Sequence, residues 1–165
     1  MKNQLAIVCP TTNLASYVEA TFMEKPKVYS AFGTTLHTNS ETAMADLAEQ
    51  IILNEVNVVS FVVDVNALLV RKFLSGESTG SIQVDRYYQY IFDNYEGLIK
   101  KKETSYEQRI EFTHHLAKEQ ILELVSALNQ FDGLDFQDLS INGFLVDGSA
   151  DTKWSIFADQ DILRN

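Results

Sequence analysis

The stretch from Val56 to Phe73, VNVVSFVVDVNALLVRKF, most constrains what this chain can fold into. Val56 to Val63 is an apolar run, rich in β-branched residues and too short for a buried helix. It therefore reads as a strand covered on both faces. A polar break at Asp64 to Asn66 and a helical pattern follow it. A doubly covered strand leading into a helix is the signature of a mostly parallel sheet, so the class is α/β, with helices flanking the sheet. In such sheets chemistry collects just past the carboxyl ends of strands. The turn Asp64, Val65, Asn66 and Ala67 is thus the first place to look for a site.

The flanking sequence agrees. Gln4 to Cys9, stopped by Pro10, predicts a first buried strand, and Asn13 is placed to cap a short helix through about Phe22. Val28 to Phe32 predicts a second strand, followed by the loop Gly33 to Asn39. Asn39 or Ser40 caps a helix whose Met44, Leu47, Ala48 and Ile51 share one face. After the turn cluster GESTGS, Val84, Tyr87, Tyr88, Ile91, Phe92, Tyr95, Leu98 and Ile99 repeat at helical spacing. Their aromatic content reads as core or subunit-interface packing rather than a stacking platform. Thr104 and Glu107 match a capping box that opens a long amphipathic helix ended by Asp132-Gly133. Leu139 to Val146 predicts another strand, with Asn142-Gly143 as a bulge or kink. A turn at Asp147 to Asp151 leads to Trp154 to Phe157, a short closing strand or extended segment, and the polar end ADQDILRN lies on the surface.

Length and charge narrow the function. At 165 residues the chain predicts a single domain, 1–165. Its net charge of −10 opposes binding to a phosphate backbone, and Lys100 to Lys102 reads as a solvated helix end, so no nucleic-acid partner is expected. The apolar run Leu5 to Cys9 is too short for a signal-peptide core and nothing reads as a membrane span, which predicts a cytoplasmic protein. One cysteine excludes an intramolecular disulfide and a multi-cysteine zinc site.

In order and spacing these pieces resemble β-class carbonic anhydrases. AKEQILELVSAL followed by LSINGFLVD is similar to that family's late helix and the strand after it: Gln120, Ile121 and Leu124 match the first pattern, and Gly143, Phe144 and Asp147 the second. The resemblance implies a zinc site built from a Cys-x-Asp-x-Arg motif and a His-x-x-Cys motif, with an open position for water. Here the first motif falls on Cys9, Thr11 and Asn13, and the second on Asp64 and Ala67. The 55-residue separation of Cys9 and Asp64 is similar to the family's. Only Cys9 matches a ligand, and Ala67 has no donor atom. The expectation is therefore a non-catalytic, zinc-free protein without cofactor, with Cys9, Thr11, Asn13, Asp64 and Ala67 as a vestigial site open to a small ligand or partner.

The resemblance also implies a homodimer. The family's N-terminal arm has only eight residues before Cys9 to correspond to here, so a reduced or rebuilt contact is expected. Two alternatives stand beside this reading. One is different chemistry, with Cys9 as nucleophile and His37 as base, or a metal held by Cys9, Asp64 and His37. The other is a crevice simply filled by Val65 and Leu68. Adjacent His114 and His115 diverge by about 100° on a helix and suit surface or capping roles.

Overall fold

The computed structural model describes residues 3–21, 26–38, 40–130, 139–147 and 152–157. Strands β1 (Asn3–Val8), β2 (Lys27–Ser30), β3 (Val56–Asp64), β4 (Ser140–Asp147) and β5 (Thr152–Phe157) form one sheet in the order β2-β1-β3-β4-β5. The first four are parallel and β5 closes the sheet antiparallel to β4. Helices α1 (Leu14–Thr21), α2 (Glu41–Leu53), α3 (Leu68–Leu74), α4 (Ile82–Ile99) and α5 (Ser105–Leu128), with a short 3-10 turn (Phe32–Thr34), complete the described elements. None of the described helices is long and apolar enough to cross a membrane.

Strand alternation decides which helix covers which residue. Ala6, Val8, Val62 and Val146 face α1 through Leu14 and Val18. Leu5, Ile7, Val59 and Phe61 face the opposite way, into a core with Leu47 and Ile51 of α2 and Ile121 and Leu124 of α5. Toward the carboxyl ends of the strands this second face continues as a cluster of Cys9, Val63, Val65 and Leu145 with α3, α4 and α5. The central strand β3 is thus buried on both faces, as its composition predicts.

Helix signals are met closely. The Ser40 side chain accepts the Ala43 N–H, selecting Ser40 over Asn39 as the α2 cap. Thr104 and Glu107 form the reciprocal capping box. The face Met44, Leu47, Ala48 and Ile51 is buried. Lys100 is exposed beside Glu96, and Lys102 pairs with Glu111 at 3.0 Å, as a solvated helix end should.

Three expectations are corrected. The second strand stops at Ser30; Phe32–Thr34 is a 3-10 turn, because Gly33 and Thr34 adopt positive φ and break the extended run. No bulge interrupts β4: Ser140 to Val146 each pair in unbroken register with Val58 to Asp64, leaving no extra residue to accommodate. Leu98 is 46% exposed and leaves the predicted apolar face of α4. The α5 helix ends at Leu128, while Asp132-Gly133, residues 148–151 of the expected turn and the C-terminal ADQDILRN lie outside the described residues.

Candidate functional site

The chain leaves β1 for β2 on one side, whereas β3 lies on the other, so the strand order switches direction between β1 and β3. Side chains just past those two carboxyl ends meet at the switch point. Past β1 stand Cys9, Thr11 and Asn13; past β3 stand Asp64 to Ala67; Asp147 ends β4.

Cys9 is turned inward and is 2% exposed. Its sulfur accepts the Gly33 N–H at 3.2 Å and lies 2.9 Å from the Thr11 hydroxyl. Its carbonyl takes the Thr12 hydroxyl at 2.8 Å and closes the turn. The Gly33 amide is aimed at the sulfur by its own left-handed backbone, φ +68°. The other side of Gly33 is roofed by α4, whose Tyr88 hydroxyl donates to the Gly33 carbonyl at 2.9 Å. A Cβ on Gly33 would come within 2.9 Å of Val84 and 3.3 Å of the Tyr88 oxygen. Backbone, thiol, valine and tyrosine therefore form one packed unit around Cys9.

Across the switch point, Asp64 is half-buried and its Oδ1 accepts the Asn66 N–H at 2.8 Å, an Asx turn of the chain on itself. Asn66 passes the network on, donating from Nδ2 to Asp147 Oδ1 at 2.9 Å, and the Tyr106 hydroxyl donates to Asp147 Oδ2 at 2.6 Å. Burial raises the Asp64 pKa and the nearby Asp147 charge adds to it, against the Asn66 N–H and Arg71. A carboxyl whose pKa is higher folded than unfolded favours the fold when protonated and penalises it once ionised. Asp64→Asn, which keeps the acceptor for Asn66, is therefore expected to raise the urea midpoint at pH 7. The gain should vanish below the ordinary carboxyl pKa near 3.8, where Asp64 is protonated in both states. An unchanged difference across that range would show that its charge is not strained.

The five predicted residues divide between core and surface. Cys9 and Ala67 belong to one apolar cluster, Ala67 being 6% exposed ahead of α3. Thr11 and Asn13 are exposed, and Asp64 lies between these extremes. Val65 is fully buried in the same cluster as Cys9, whereas Leu68 is 48% exposed. His37 is not brought to Cys9: it is exposed and lines a separate groove against α4 and α5. Among the described residues, no three His, Cys, Asp or Glu side chains come together as a metal set, so Cys9, Asp64 and His37 do not form one.

His115 corrects a further expectation. It is 7% exposed, stacked on Tyr95 at 3.7 Å and 8°, with Nε2 3.0 Å from Glu111. Burial lowers its pKa despite that glutamate, so it belongs to packing between α4 and α5 rather than to the surface. Sequence reasoning also missed Gly33, Tyr88 and Tyr106 as site residues, and took Asp147 only as a strand end. Asp147, 3% exposed, carries the one available signal, an acid closing an apolar strand run.

No protein-family model and no curated relative matches the chain. Solved structures do. The β-carbonic anhydrase CafD of Aspergillus fumigatus superposes with a TM-score of 0.78 at 14% identity, covering 95% of this chain and 90% of its own. CafA of the same fungus gives 0.75 at 11%, covering 99% and 80%. One of two tetrameric β-carbonic anhydrases from Sordaria macrospora gives 0.74 at 11%, covering 95% and 81%. Identity this low speaks to architecture alone, and the architecture of this chain is the β-carbonic anhydrase fold.

Proposed function

We propose that this chain is a zinc-free protein on the β-carbonic anhydrase fold that does not hydrate carbon dioxide and acts by binding a small ligand or a partner. The observation that carries this is the environment of Cys9. A catalytic zinc needs three protein ligands and an open fourth position. Cys9 is the one thiol, and its sulfur is already engaged by the Gly33 N–H and Thr11 beneath a roof of Val84 and Tyr88. Ala67 offers a methyl group, and the Asp64 carboxylate is folded onto its own turn. These residues do not fit a catalytic zinc, the ion that would bring the pKa of a bound water toward neutrality. Thr11, Asn13, Asp64 and Asn66 leave polar side chains at the same end of the sheet, which supports a binding role.

The test is zinc content and carbon dioxide hydration measured on the same purified chain after incubation with zinc. The expected result is far less than one equivalent of metal and hydration at the buffer rate. Stoichiometric zinc that disappears in Cys9→Ala, or hydration that depends on Cys9 or Asp64, would overturn the proposal.

We also infer a homodimer. β2 is an edge strand of four residues, and the fold neighbour from Sordaria macrospora is tetrameric. Light scattering is the direct measure: twice the 18.7 kDa chain mass is expected, and a monomer at micromolar concentration would refute it.

A further inference from the structure

Away from the Cys9 end of the sheet, an open groove of about 1120 Å³ runs between residues 35–38 and 40–44, α4 and the C-terminal half of α5. That is ample for a small ligand, since such sites span roughly 300–1,000 Å³. Its described lining includes Glu41, Glu123, Tyr87, Tyr90, Gln83 and His37, with no lysine or arginine.

Glu123 is the organising group. Its carboxylate is held from three directions: the Tyr87 hydroxyl at 3.0 Å, the Thr38 hydroxyl at 3.4 Å and the Gln120 amide at 3.3 Å. The donors are neutral, so they fix the carboxylate without cancelling its charge. Burial raises the Glu123 pKa and the Glu119 charge adds to it, against the pull of these three hydrogen bonds. Beside it the Tyr87 and Tyr90 rings lie 6.0 Å apart at 38°, and Tyr90 is 50% exposed. A fixed carboxylate without a lysine or arginine, in a groove also lined by two tyrosine rings, is complementary to a positively charged organic group. A bare metal ion would want several clustered carboxylates instead, and the described residues form no such group here.

We propose that this groove binds a small organic ammonium ion, its charged head between the Glu123 carboxylate and the Tyr87 and Tyr90 rings. The proposal is independent of whether the Cys9 end of the sheet holds zinc.

The test titrates the full-length chain with pentylammonium, followed by backbone amide NMR, with 1-pentanol as the neutral counterpart. Saturable shifts are expected at Ala43 and Ala127, which line the groove, and not with pentanol. Glu123→Gln should weaken pentylammonium about tenfold, the scale of one lost charge-assisted contact. Tyr90→Ala should weaken it about threefold, the scale of an exposed cation–π contact. Because Tyr90 is half exposed, that variant remains informative even if Glu123→Gln perturbs folding. Equal binding of pentanol would overturn the charge assignment. Pentylammonium affinity unchanged in Tyr90→Ala and in a folded Glu123→Gln would overturn the site, leaving only diffuse attraction to a chain of net charge −10.

Discussion

Tyr88→Ala is expected to destabilise the fold by about 3–5 kcal/mol, the range for deleting a large buried aromatic side chain. Tyr88 is 1% exposed and its ring meets Phe73 and Phe112 edge-on at 5.5 and 5.3 Å. Removing it opens a void beside Cys9 and strands the buried Gly33 carbonyl that its hydroxyl satisfies. Tyr88→Phe separates the two losses: it keeps the ring and should cost about 1–3 kcal/mol for the carbonyl left unsatisfied. Urea denaturation of both variants gives the comparison. If Tyr88→Ala cost no more than Tyr88→Phe, the ring would not be what fills the space beside the thiol, and the packed reading of Cys9 would fail with it.

The second large effect is at Gly33. Alanine there must hold φ near +68° and place its Cβ 2.9 Å from Val84 Cγ1, closer than carbon atoms approach. Left-handed backbone costs a residue with a side chain about 1–2 kcal/mol, and overpacking a filled core adds about 1–3 kcal/mol. A loss of about 2–5 kcal/mol is expected for Gly33→Ala. Adding Val84→Ala should recover the steric part and leave the backbone part, so the two changes made together should cost less than their separate losses predict. Strict additivity would mean that Gly33 and Val84 do not press on each other.

Much of the architecture is legible because it is periodic. The β3 run, the α2 face and the Thr104–Glu107 box each express a local rule, and each is realised. What escapes is set by residues that meet only in three dimensions. Phe32 looks like one more strand residue, yet the Gly33–Thr34 turn after it answers to Cys9, 24 residues away in the chain, and to α4. His115 reads as polar surface until Tyr95 of the neighbouring helix stacks over it. The candidate site divides in the same way. The spacing of Cys9 and Asp64 locates the switch point. It cannot tell that one side chain is turned into the core while the other folds back on its own turn, because that depends on α4 and on Asn66.

The loop of residues 33–38 has a role that neither site reveals alone. Its Gly33 amide holds the Cys9 sulfur, its Leu36 amide donates to Gln120, and its Thr38 hydroxyl donates to Glu123. Six consecutive residues thus form a common wall between the packed thiol and the open groove. The packed thiol and the open groove therefore rest on one short stretch of backbone.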